Sequence, residues 1–152
     1  MDTSNLLLDE KTDKATRKIL ENVIKRKKKF EIYKRRHTLA IWGTLIPAFI
    51  YVNYLYFTIA KTYSYSFAAM FSAFVNNSNN LIFLVITIGM YGLMNLLKEK
   101  MDKAEKEFHE LRCEIIERSR DLWSTEDEWK NRHVVFEMMK KNFDINLYHQ
   151  KK

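Results

Sequence analysis

Residues 81–122 read LIFLVITIGMYGLMNLLKEKMDKAEKEFHELRCEIIERSRDL, an apolar span that becomes a charged segment without losing register. Met90, Met94, Leu97, Met101, Ala104, Phe108, Leu111, Ile115, Arg118 and Leu122 are separated alternately by four and three residues, the repeat of a helix packed along one seam. Arg118 alone breaks the apolar series. Before Lys98 the segment is uncharged on every face, and after it charge covers every face except the seam. The pattern predicts one continuous helix over Leu81–Leu122 that leaves a membrane and runs on into water.

Composition supports long helices. Three glycines and one proline in 152 residues, with 47% hydrophobic residues, leave few turns and argue against a strand-rich fold. One modest core is the expectation for this length, without a second soluble domain. The mean hydropathy of -0.37 conceals a segregated chain, because the charged residues lie at the two ends and Lys61 is the one charge from Leu39 to Leu97. Cys113, the single cysteine, excludes an intrachain disulfide framework and a Cys-rich metal site, and it fits a reducing compartment. The net charge of +7 suits nucleic acid or an anionic membrane surface, and its distribution separates the two.

The first dozen residues hold Leu6, Leu7 and Leu8 followed by Asp9, Glu10 and Lys11, a frayed or loosely docked start too short in its apolar run for a secretory signal. A helix is predicted over Thr12–His37, with Ile19, Val23, Phe30, Tyr33 and His37 on a four-three spacing interrupted at Arg26. Lys25, Arg26, Lys27, Lys28 and Lys29, then Lys34, Arg35 and Arg36, lie directly before the first apolar span. They read either as a solvated face or as a juxtamembrane strip held to anionic lipid, at about 1 kcal/mol per basic residue near the surface.

Leu39–Ala60 is uncharged and as a helix covers about 33 Å, enough for a bilayer core of about 30 Å. Its complement of Leu, Ile, Phe and Val favours insertion by about 3 to 6 kcal/mol, offset in part by Gly43, Thr44, Pro47 and Asn53. Pro47 is expected to kink the span, which lipid tolerates if a neighbouring helix covers the freed carbonyl. Trp42 at one end and Tyr54, Tyr56 and Tyr63 at the other match interfacial aromatic belts. Leu81–Leu97 covers about 25 Å, at the short limit for spanning, and Lys98 and Lys100 extend its reach by snorkelling. Between the spans, Phe67–Val75 suits a short interfacial helix and the tract Asn76, Asn77, Ser78, Asn79 and Asn80 a turn. Asn76-Asn77-Ser78 also fits the glycosylation acceptor pattern, a chance match this close to a span.

Basic residues set orientation. Residues 1–37 hold 12 Lys or Arg, the loop one, and residues 98–152 hold 13, so both termini are expected in the cytoplasm and the loop outside, as in a multi-pass protein of the cell membrane. The predicted organisation is a basic arm (1–37), a first transmembrane helix (38–60), an external loop (61–80), a second transmembrane helix (81–97) and a helical cytoplasmic region (98–152). The fold class is all-α: a two-span transmembrane hairpin whose helical extensions form an antiparallel coiled-coil-like stalk, followed by an amphipathic helix. Glu107, Glu110, Glu114 and Glu117 flank the seam at the height of Lys25–Lys29, and opposite charges beside a seam favour pairing. Pairing within one chain is favoured over a homodimeric coiled coil. The candidate packing residues are Leu97, Met101, Ala104, Phe108, Leu111 and Ile115 along the seam, with Ala40, Thr44 and Ala48 approaching Gly89 and Gly92 in the membrane, where small residues let backbones close together. Thr125-Glu126-Asp127-Glu128 is a capping box that starts a last helix to about Asn142. Its Trp129, Val135, Phe136, Met139 and Phe143 are available to pack on this chain, in preference to a partner.

Chemistry is sparse. Glu105, His109 and Cys113 share one helix face with ligand types suited to a transition metal, but one helix does not close a coordination shell, and His37, His133 and His149 lack nearby ligands. Glycine-rich phosphate loops, nucleophile elbows and paired catalytic acids are missing, so neither an enzyme nor a cofactor is expected, and no small-molecule substrate is evident. Neither span carries an ionisable side chain, which argues against ion translocation by this chain alone, and Asn53 reads as an interhelical hydrogen bond to a Tyr or Thr of the second span. The basic run lacks the interleaved aromatics of a nucleic-acid stacking platform, so no nucleic-acid partner is expected.

At Leu111-Arg112-Cys113-Glu114-Ile115-Ile116-Glu117-Arg118-Ser119 and Asp121-Leu122-Trp123, with the two spans before them, the chain resembles the YpbF-like family of uncharacterised two-span membrane proteins from Gram-positive spore-forming bacteria. The resemblance implies a bacterial plasma membrane and carries over no catalytic or binding residue. Three roles follow as expectations: a non-enzymatic scaffold or docking protein using its cytoplasmic helices, with a homo-oligomer or another membrane protein as partner; a lipid-interacting or transporter-accessory protein; or a soluble bundle with the apolar stretches as its core.

Overall fold

The structure, a computed structural model, describes residues 13–148. The leucine run Leu6–Leu8, Thr12 at the predicted start of the first helix, and His149 lie outside the described residues. Among the described residues every regular element is a helix: α1 (Lys14–Leu55) continuing into a π-helical turn (Tyr56–Ala60), α2 (Phe67–Asn76), α3 (Ser78–Glu117), α4 (Ser119–Leu122) and α5 (Glu126–Phe143). Among the described residues two compact units result, one formed by residues 13–32 and 101–148, the other by Tyr33–Lys100.

The arm and first span, expected as separate segments, are a single 42-residue helix. Its first glycine is Gly43, so no residue up to that point interrupts the ladder, and Thr38 bonds its hydroxyl back to the Lys34 carbonyl (3.0 Å) instead of capping a new helix. α3 begins at Ser78, inside the asparagine tract predicted as a turn; the joint is Asn77, extended at φ -100° and ψ 102°. The same helix stops at Glu117, short of the expected Leu122. Arg118 adopts φ -89° and ψ 13°, and its carbonyl accepts from the N–H groups of Asp121 and Leu122, both at 3.0 Å. Its guanidinium turns out to Glu114 (3.0 Å), since a seam position inside a core would strip that charge of water. The break lets Trp123 enter the core.

The first unit has the buried core. Leu20 and Val23 of α1, Phe108 and Ile115 of α3, Trp123, then Val135, Phe136, Met138 and Met139 of α5 and finally Ile145 and Leu147 form one cluster. Thr16 donates its hydroxyl to the Leu122 carbonyl (2.9 Å), and Phe30 stacks on Phe108, so within this unit α1 and α3 run in opposite directions. The expected capping box is present: Thr125 Oγ1 accepts from the Glu128 N–H, and the Glu128 carboxylate accepts from the Thr125 N–H. α5 ends at Asp144 in the left-handed region (φ 55°), a conformation Asp tolerates, and that turn sends Ile145 and Leu147 inward. The last helix therefore packs on its own chain.

In the second unit the helices meet along a narrow line. Thr44 is buried, donates to the Ala40 carbonyl (2.7 Å) and lies 3.5 Å from the Met90 carbonyl. Tyr51 lies against Phe83 and donates to the Asn80 carbonyl (2.9 Å). Asn80 in turn donates to the Phe74 carbonyl (3.2 Å), holding α2 to the start of α3.

Candidate functional site

The candidate surfaces divide between the two units. The helices Lys14–Ala60 and Ser78–Glu117, which run through both units, each carry a long apolar stretch of which only 6% is buried. Both helices are thus long and apolar enough to cross a membrane. Leu39, Phe49, Ile50, Val85 and Ile88 are each more than 60% exposed, whereas the first unit's Leu20, Val23 and Met139 are completely enclosed. One chain therefore treats its apolar residues in two opposite ways.

Of the packing residues predicted for the apolar helices, Ala40 and Ala48 are half-buried and Thr44 is buried. Gly89 and Gly92 do not belong with them: both are exposed, and a Cβ at either would meet nothing within 4 Å. The glycine at the contact is Gly43, whose missing Cβ would sit 3.8 Å from Met90 Cε. Spacing alone misassigned the contact because it does not give the rotation of the second helix about its axis. Asn53 also departs from expectation, donating to the Phe49 carbonyl of its own helix (2.8 Å); one turn back is the nearest acceptor to an amide in an apolar setting. In the first unit Ala104, Phe108 and Ile115 are buried and Met101 and Leu111 half-buried, and Leu97 in the second unit is half-buried.

The basic run does not form one strip. Consecutive helical residues turn by about 100°, which spreads Lys25–Lys29 around the helix. Arg26 and Lys29 reach Glu107 at 3.0 and 3.2 Å. Lys27 faces the core side, 3.2 Å from Asp144, 3.6 Å from Glu31 and 5.5 Å from the centre of the Phe108 ring. Lys25 and Lys28 are exposed, as are Lys34, Arg35 and Arg36 of the second unit. Of the acidic strip, Glu107 crosses to the basic run, whereas Glu110 pairs with Lys106 on its own helix and Glu114 with Arg118 just past the helix end. The Lys29 hydrogen bond, with the charges of Lys29, Arg26 and Lys103, holds the Glu107 carboxyl below the usual carboxylate range.

His109 lies 3.6 Å from Glu105 and Cys113 is half-buried on the same helix. Among the described residues no group of three or more His, Cys, Asp or Glu could hold a metal ion. Besides Thr16, two buried polar groups were not expected from the sequence. Arg112 is 6% exposed and donates to the Asn146 carbonyl (3.4 Å). Asn80 is fully buried with its Oδ1 unpaired among the described residues. Neither carries a local signal, since both depend on segments that fold back from elsewhere in the chain.

A model of the family described as "Protein of unknown function (DUF2663)" matches residues 19–150, reaching through both units. The chain is also 36% identical over 145 residues to the uncharacterized protein YpbF of Bacillus subtilis (strain 168), with 95% of each chain covered. No solved structure matches. With most of its length aligned in both comparisons, this chain belongs to the DUF2663 family, to which the resemblance at Leu111–Trp123 pointed.

Proposed function

We propose that the chain is a two-span integral membrane protein, not an enzyme, that holds a small helical unit at the cytoplasmic face as a scaffold. The observation that carries this reading is the contrast between the exposed apolar belt of Tyr33–Lys100 and the enclosed core of the other unit. Exposed apolar helices of this length are costly in water and stable in hydrocarbon. A soluble bundle would bury them as its core. The spans are 38–60 and 81–97, the short loop lies outside, and both charged arms lie on the cytoplasmic side, where basic residues accumulate.

In this scheme the first part of α1 and the last part of α3 pair as a coiled-coil-like stalk. The support is the Phe30–Phe108 stack, the Arg26–Glu107 and Lys29–Glu107 pairs, and the shared core with α5. With the apolar face of α5 occupied, a partner protein or second copy would meet the charged outer faces. The specific observation for a lipid role is the exposure of Lys25, Lys28, Lys34, Arg35 and Arg36, each a candidate contact to anionic headgroups.

Fractionation tests the main reading: the protein is expected in the membrane pellet, released by detergent and not by high salt or carbonate. Recovery in the soluble fraction without detergent overturns it. Replacing Lys25, Lys28, Lys34, Arg35 and Arg36 with Gln separates the two roles. Lost affinity of the reconstituted protein for anionic over neutral vesicles assigns the residues to lipid; unchanged affinity with lost self-capture by crosslinking assigns them to protein contacts.

A further inference from the structure

We infer that the outer end of the first apolar helix holds one phospholipid, with an acyl chain in the groove between the π-helical turn and α2 and its phosphate at Lys61. The inference rests on the membrane reading above. The groove has a volume of about 400 Å³ and lies between the stretch Val52 to Ala60 and the stretch Phe67 to Phe74, all within the Tyr33–Lys100 unit.

The groove is made by a departure from regular helix. The Lys61 N–H donates to the Tyr56 carbonyl (2.9 Å), a turn one residue wider than an α turn, and such turns recur at functional sites. The wider turn puts Tyr56, Ile59 and Ala60 on one wall. Ser66 caps α2 through the Ala69 N–H, and Phe67, Met70, Phe71 and Phe74, spaced for one helical face, make the other wall. Phe67 and Phe71 are nevertheless 79% and 61% exposed, so the groove is open along its side.

The lining selects the occupant. Apart from the Tyr56 hydroxyl it offers no polar side chain, so a peptide strand laid in the groove would leave its N–H and C=O groups unpaired. A hydrocarbon chain has none to satisfy. Charge identifies the headgroup: Lys61, directly after the wall residue Ala60, is exposed and is the single charged residue between Thr38 and Leu97. An ammonium at the membrane edge pairs with a phosphate, and an anionic headgroup is preferred over a zwitterionic one because no neighbouring acid offsets the charge.

The test uses the full chain reconstituted into vesicles of phosphatidylcholine and phosphatidylglycerol, with a phosphatidylglycerol probe carrying a photoactivatable diazirine on one acyl chain. Flotation of the vesicles first establishes incorporation; a protein that does not float overturns both the membrane reading and this inference. In incorporated protein, labelling of residues 52–74 is expected to exceed that of the more apolar residues 81–96 about tenfold per residue, the equivalent of about 1.4 kcal/mol. Ile59→Trp or Met70→Trp, each filling the groove, should reduce labelling to the level of 81–96, with unchanged helicity as the check on folding. Lys61→Gln should retain chain labelling and erase the preference for phosphatidylglycerol over a phosphatidylcholine probe. Uniform labelling along both spans, or labelling that the filling variants leave unchanged, overturns the inference while leaving the membrane reading intact. Retained preference in Lys61→Gln overturns the phosphate contact.

Discussion

Met139 and Ile115 touch solvent at 0% and 1% of their surface, so truncating either leaves a cavity in the one enclosed core. Met139→Ala and Ile115→Ala should each cost about 2 to 5 kcal/mol, read as a lowered urea midpoint in mild detergent. Val85→Ala and Ile88→Ala, on the exposed belt, should leave that midpoint within about 0.5 kcal/mol. Glu107 makes a pH-dependent contribution. Its carboxyl titrates below the ordinary range because Lys29 hydrogen-bonds it and Lys29, Arg26 and Lys103 surround it with positive charge. The stabilisation is therefore complete above the unfolded carboxylate value of about 4.3 and is lost as pH falls through the lower folded value. In Glu107→Gln the unfolding midpoint should show less loss between pH 5 and pH 3 than in the parent, as titration followed by circular dichroism would reveal. At Gly43 a Cβ would already lie at contact distance from Met90 Cε (3.8 Å), so a larger side chain must displace Met90, and Gly43→Leu should destabilise by about 1 to 3 kcal/mol. Gly89→Leu, facing open space, should be neutral in the same assay.

At the scale of elements, capping and interruption decide more than propensity does. Thr125→Ala removes the acceptor of the Glu128 N–H and should cost about 1 kcal/mol, with faster amide exchange confined to the first turn of α5. The capping box was legible because its chemistry is local to Thr125–Glu128. The end of α3 at Glu117 was not: the four-three pattern carries through Arg118 to Leu122, and the break exists because Trp123 reaches a core partly built by α5. Likewise α2 was readable from Phe67–Val75, whereas the π-helical turn before it was not, since Tyr56–Ala60 lies across from α2 in the fold and no local pattern marks it.

For the molecule as a whole, the exposed belt and the distribution of basic residues lead to a prediction of sidedness. In a Cys113→Ser background, Lys61→Cys should react with a membrane-impermeant maleimide in intact spheroplasts, and Lys140→Cys only after permeabilisation. The opposite pattern would invert the proposed topology, and reaction of both in intact cells would remove it. Both substituted positions are exposed, so reactivity reports side of the membrane instead of burial.

The helical class, the position of the two apolar helices, the capped start of α5 and the family were all readable from the residues in order. These depend on composition and on periodicities spanning a few turns. Which faces meet was set by the folded arrangement. Gly43 in place of Gly89 and Gly92, Glu107 facing Arg26 and Lys29, and the burial of Asn80 and Arg112 all depend on how each helix is rotated about its axis. A heptad pattern specifies a seam, but the rotation that seats it is a balance of contacts between segments distant in sequence. The residues 81–122 carry a seam that their own spacing declares, and the core that closes over its last third comes from α1 and α5.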